Sequence, residues 1–122
     1  LGIFPEGTRS KKKEPPFLLP GKTGIARLSA SYPDVPVVPI GLMGTREFMT
    51  PSDHKLPRLW KRVAISYGKP VTWWNWLEEN VGLEDLQVLA DKDDHEVKST
   101  LAGYYRKFTD DFMERIKEQG AP

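Results

Sequence analysis

Phe4-Pro5-Glu6-Gly7-Thr8-Arg9-Ser10, preceded by the apolar stub Leu1-Gly2-Ile3-Phe4, is the stretch from which the rest of this chain is read. The stub suits the end of a buried strand, which Pro5 and Gly7 stop and turn. Gly7 permits a positive φ, or a ligand approach that a Cβ would block. Arg9 offers a planar fork of donors matched to phosphate, and Glu6 can accept from a hydroxyl or hold the arginine. Such a turn fits a small ligand that carries both phosphate and hydroxyl groups. An ordinary turn with a surface ion pair has the same composition.

Working outward, residues 5–21 form a loop rich in Pro, Lys and Gly. Residues 22–32 suit a short helix with Ile25, Leu28, Ser29 and Tyr32 on one face, broken at Tyr32-Pro33-Asp34. Val35 to Leu42 is almost continuously apolar, as in a strand of a parallel sheet covered on both faces. Its prolines, Pro36 and Pro39, point instead to an edge or an interrupted ladder. A connection is expected over 43–60. Val63, Ile65 and Tyr67 alternate before Gly68-Lys69-Pro70 and predict a further strand. Val97, Leu101, Tyr104, Tyr105, Phe108, Phe112 and Ile116 recur at helical spacing, predicting a long amphipathic helix from Asp93 to Glu118 whose stripe is a packing face. The fold class is α/β, with strands flanked by helices.

FPEGTRS, taken with the Val35-Pro36-Val37-Val38-Pro39-Ile40 segment, resembles the third and fourth sequence blocks of the glycerolipid acyltransferases, which include the 1-acylglycerol-3-phosphate (lysophosphatidic acid) acyltransferases. Lys22-x-Gly24 and the small-residue helix after it fit the same pattern, so the similarity covers roughly residues 1–70. The resemblance implies transfer of a fatty acyl group from acyl-CoA or acyl carrier protein to the free hydroxyl of 1-acylglycerol-3-phosphate, in phospholipid biosynthesis. Glu6, Gly7, Thr8 and Arg9 would position the acceptor, with Arg9 on its phosphate and Lys22 as a second cation for that phosphate or for the donor. A helix-start lysine in solvent reads equally well for Lys22. The resemblance further implies a membrane-associated protein at the cytoplasmic face, with no metal or redox cofactor.

The family's His-x-x-x-x-Asp block, which supplies the general base, is not in this sequence. Five residues beyond His54 is Leu59, and five beyond His95 is Thr100. With Leu1 lying inside the apolar stub, the chain reads as the C-terminal part of a longer enzyme: a partial acyltransferase domain over 1–122, inactive alone. Alternatives are a related enzyme acting on glycerol-3-phosphate or another lysophospholipid, or a non-catalytic module that binds anionic lipid or phosphate.

Composition narrows the field. The 122 residues include no cysteine, which excludes a disulfide framework and a thiol metal site, and two isolated histidines argue against zinc. No apolar run approaches the roughly 20 residues of a spanning helix. Net charge is +1 but lopsided: residues 1–77 hold twelve Lys and Arg against five acids, a balance of +7, and residues 78–122 hold six against twelve, a balance of −6. A basic half bearing the motifs favours anionic ligands and anionic membranes. Lys11-Lys12-Lys13 reads as a solvated loop. No aromatics interleave the basic run, so nucleic acid is not a partner.

Two further clusters compete for attention. Gly21-Lys22-Thr23 invites a phosphate-loop reading, but the glycine required five positions earlier is Pro16, which has no N–H to offer. Trp73-Trp74-Asn75-Trp76, with Trp60, Lys61, Arg62 and Lys69 nearby, suits a bilayer-docking patch. Adjacent rings cannot all face one way, so at least one of them belongs to the core.

Overall fold

The long C-terminal segment alternates charge and bulk with helical period, and it folds accordingly. In the computed structural model, which describes residues 1–44 and 62–122, Asp94–Glu118 is one continuous helix. Its elements in chain order are α1 (Gly24–Ser31), β1 (Ile40–Met43), β2 (Ala64–Tyr67), α2 (Trp73–Asn80), α3 (Leu83–Ala90) and α4 (Asp94–Glu118). The expected connection over 43–60 falls almost wholly outside the described residues, as do His54, Trp60 and Lys61.

Both ends of α4 are written into its sequence. The Asp93 carboxylate accepts from the Glu96 N–H at 2.8 Å, satisfying one of the donors the first turn leaves open. Asp94 and Glu96 lie in the first turn, with Arg115 and Lys117 in the last, each complementing the helix dipole. The apolar stripe then buries Phe108, Phe112, Met113 and Ile116 against Ile25 and Ala26 of α1, Val71, and Trp73, Trp76 and Leu77 of α2. Rings meet within this core at favourable spacings. Trp76 is edge-on to Phe108 at 5.4 Å, Trp73 stacks on Trp76 at 5.4 Å, and Phe108 stacks on Phe112 at 6.0 Å. The indole N–H of Trp76 is satisfied by Asp111 Oδ2 at 3.0 Å.

The architecture is a mixture of helices and one small sheet, compatible with α/β. Several expectations are corrected. The described sheet has two strands and is antiparallel, not parallel, with Ile40 opposite Tyr67 and Met43 opposite Ala64. Val35–Leu42 is not one strand. Val37 pairs alone with Val71, Pro39 interrupts the ladder, and pairing resumes at Ile40. Pro39 has no N–H to donate, yet its carbonyl accepts from Gly68 at 2.7 Å, so the ribbon continues with a gap. Nor is the ribbon covered on both faces, since Val38, Ile40, Ile65 and Tyr67 are exposed.

Leu1–Phe4 is in no strand and is not buried; Leu1, Ile3 and Phe4 are exposed. In α1, Ile25, Ala26 and Ser29 are buried but Leu28 and Tyr32 are not, because α1 ends at Ser31 and meets α4 through the Ile25–Ser29 side. Helices α2 and α3 were not expected. Aromatic β-formers dominate Trp73–Trp76, but Thr72 caps the Asn75 N–H at 3.2 Å and starts a helix there, with packing overriding propensity.

The core makes a sharp contrast testable. Phe108→Ala should lower unfolding free energy by about 3–5 kcal/mol in chemical denaturation, as for other large-to-small changes in buried aromatics. Trp74→Ala, at a position 48% exposed, should stay within about 0.5 kcal/mol of the unaltered chain. Comparable losses at the two positions would show that α4 is not the centre of the core.

Candidate functional site

Phe4 to Gly7 closes as a hydrogen-bonded turn, the Gly7 N–H donating to the Phe4 carbonyl at 3.0 Å. Gly7 sits at φ 72°, in the left-handed region that a side chain disfavours. The turn does not stand alone. Glu6 Oε2 accepts from the Leu19 N–H at 2.7 Å in a half-buried setting, and the Lys22 N–H donates to the Pro5 carbonyl at 2.8 Å. These two bonds fasten residues 5–6 to residues 19–22 across the intervening loop. A second pair of bonds ties the same loop to the C-terminal residue, where the Phe17 and Leu18 N–H groups donate to the Pro122 carbonyl at 3.1 and 2.9 Å.

The structure brings Lys22 to the turn. A Cβ built on Gly7 would stand 3.0 Å from Lys22 Cδ and 3.3 Å from Nζ, so the lysine stem runs along the glycine. Its side chain is otherwise exposed. Glu6 makes no ion pair with Arg9, and one of its oxygens holds a backbone N–H instead. Arg9 and Thr8 are exposed, and Arg9 makes no hydrogen bond or ion pair with the described residues.

Glu6, Thr8 and Arg9 line an open cavity of about 1090 Å³, whose other walls include Ile25, Val37 and Met113; Gly7 and Lys22 are not on its walls. Ser29 also lines it, and its buried hydroxyl has no partner among the described residues. An apolar cavity that also carries a guanidinium unpaired among the described residues is chemically matched to an amphiphile with an anionic head. Among the described residues no group of His, Cys, Asp or Glu is arranged to hold a metal ion.

The tryptophan patch is largely dismantled. Of its three described tryptophans, Trp73 and Trp76 are core residues and Trp74 is exposed, with Arg62 and Lys69 exposed as well. Lys11, Lys12 and Lys13 are exposed. No described helix is long and apolar enough to cross a membrane. Sequence reasoning did not find Leu19 as the partner of Glu6, nor the contact of Arg106 with Gly21 at 2.8 Å. Nor did it find the Arg106–Asp110 pair, which is local at i,i+4, whereas a third partner 85 residues away leaves no local signal.

A family model described as Acyltransferase matches residues 1–43, a little over a third of the chain, and includes the whole turn together with Lys22 and α1. The match supports an acyltransferase of some kind. No curated protein and no solved structure matches the chain.

Gly7→Ala is expected to cost about 1–2 kcal/mol of stability, because an alanine held at φ 72° is strained. Its Cβ would also push the Lys22 stem off the turn. Denaturant midpoints check the first effect, and a shift of the Lys22 side-chain resonances checks the second. Unchanged stability would mean the turn relaxes to another conformation at little cost.

Proposed function

We propose that this chain is the acceptor-binding part of an acyltransferase that moves a fatty acyl group from acyl-CoA or acyl carrier protein to 1-acylglycerol-3-phosphate in phospholipid biosynthesis. The observation that carries the reading is the Arg9 fork, unpaired among the described residues, on the wall of a large apolar cavity next to the Glu6-Gly7-Thr8 turn. Arg9 takes the acceptor phosphate in two parallel hydrogen bonds, and the cavity takes its acyl chain. Lys22, lying along Gly7, adds a second positive charge beside the turn. Glu6 serves by holding Leu19, and so the shape of the loop, rather than by touching the acceptor.

In this mechanism a general base removes the proton from the acceptor's free hydroxyl, the oxygen attacks the thioester carbonyl, and the donor thiol leaves. A His-x-x-x-x-Asp pair is not among these residues, so this chain's share is placement. Fixing the acceptor against the donor is itself worth a large part of such a rate. Membrane association at the cytoplasmic face belongs to the same reading. It is supported by the +7 balance of residues 1–77 and the exposed Trp74 rather than by the full tryptophan cluster.

The same Arg9 fork on an apolar cavity also fits a second reading, a module that binds anionic lipid without catalysis. Both readings expect the chain alone to give no acyl transfer above the uncatalysed rate. Supplying the missing block on a longer protein separates them, since only the first then gives turnover. Either way Arg9→Lys should be costly, because a point charge cannot reproduce the fork. Loss of one charge-assisted bond, on the order of 1.5–3 kcal/mol, corresponds to roughly ten- to hundredfold weaker binding of 1-acylglycerol-3-phosphate. Calorimetric titration measures it, and an unchanged affinity would take Arg9 out of the site.

A further inference from the structure

One peptide group, between Gly21 and Lys22, is gripped from both sides. Its N–H donates to the Pro5 carbonyl of the turn at 2.8 Å, and its C=O accepts from Arg106 Nη2 of α4 at 2.8 Å. The same guanidinium is anchored on Asp110 Oδ1 through Nε at 3.0 Å and Nη2 at 2.6 Å. Gly21 is buried against α4 so closely that a Cβ there would stand 2.8 Å from both Thr109 Cγ2 and Met113 Cγ. We infer that Arg106 is a positioning residue for the anion site: by fixing the Gly21–Lys22 peptide plane it sets where Lys22 and the Phe4–Gly7 turn stand.

Three features favour this over a surface ion pair that happens to reach a carbonyl. The peptide group is planar, so fixing its oxygen fixes the direction of its N–H. A cation on the oxygen polarises the group and strengthens the N–H bond to Pro5 on the far side. The Arg106 and Asp110 side chains are 45% and 63% exposed, and an exposed i,i+4 pair contributes too little stability to be the point of the arrangement. Arg106 and Asp110 also lie outside the matched residues 1–43, so the helix acts on the turn from beyond that segment.

The inference rests on the phosphate-binding reading of the turn, and the test separates the two. Titrating the 122-residue chain with a short-chain 1-acylglycerol-3-phosphate and with the matching uncharged monoacylglycerol gives a head-group preference as a ratio of affinities. Arg106→Ala should lower that ratio about three- to tenfold, with monoacylglycerol affinity unchanged, and Arg106→Lys, which keeps one donor for the carbonyl, should recover most of it. Gly21→Ala, which presses on the same peptide from the helix side, should lower the ratio too, and it carries the test if Arg106→Ala does not fold. An unchanged ratio in both variants, or equal weakening of both ligands, overturns the positioning role while leaving the reading of the turn intact. If the unaltered chain shows no phosphate preference, the reading falls and the inference falls with it.

Discussion

The burial of one face of α4 under Trp73, Trp76 and the Ile25–Ala26 edge of α1 is the contact on which the other described elements depend. Fully burying one such side chain is worth about 1.5–3 kcal/mol, and α4 contributes Phe108, Phe112, Met113 and Ile116 to it. The exposed Arg106–Asp110 pair is worth a few tenths by comparison. Apolar burial therefore fixes where α4 lies, and the polar contacts act on geometry within that placement. Neither the two-stranded ribbon nor the Phe4–Gly7 turn has enough buried surface to hold itself; the ribbon's outward residues are exposed, and the turn is held by single hydrogen bonds.

That order of strength explains how an acidic half comes to support a basic one. The −6 balance of residues 78–122 sits on the outer surfaces of α2, α3 and α4, with Glu78, Glu79, Glu84, Asp85 and Asp94 all exposed. The faces turned inward are apolar, so the two halves meet through rings and methyls rather than through paired charge. Among the described residues, α4 places no carboxylate in ion-pair contact with Arg9 or Lys22. A site for an anion needs this: cations matched by nearby carboxylates would already be paired, and a ligand phosphate would have to displace them.

What was legible in the sequence follows from which forces are local. The boundaries of α4 could be read because Asp93, Glu96, Arg115 and Lys117 are its own caps and charges, and the seven-residue stripe is its own period. The strand at Ala64–Tyr67 was legible from alternation, and the break at Pro39 from the missing N–H. Direction and cover were not. Whether Ile40 pairs parallel or antiparallel, and whether anything lies over Leu1–Phe4, depends on partners remote in sequence. Helix α2 was obscured for the opposite reason: local propensity at Trp73–Trp76 favours a strand, and packing against Phe108 and Tyr105 outweighs it.

The turn shows the same division at the scale of single atoms. The parts played by its glycine and its arginine could be inferred from residue types, since a positive φ and a phosphate fork are properties of those residues themselves, whereas Lys22 read equally well as a lysine in solvent. The destination of Glu6 could not, because Leu19 offers only a backbone N–H, a group every residue but proline carries and no sequence pattern marks. One Glu6 oxygen thus keeps the loop closed, and Arg9, three positions on and unpaired among the described residues, lines the cavity with it. A turn that commits its acid to its own backbone leaves the arginine beside it without an internal carboxylate partner among the described residues.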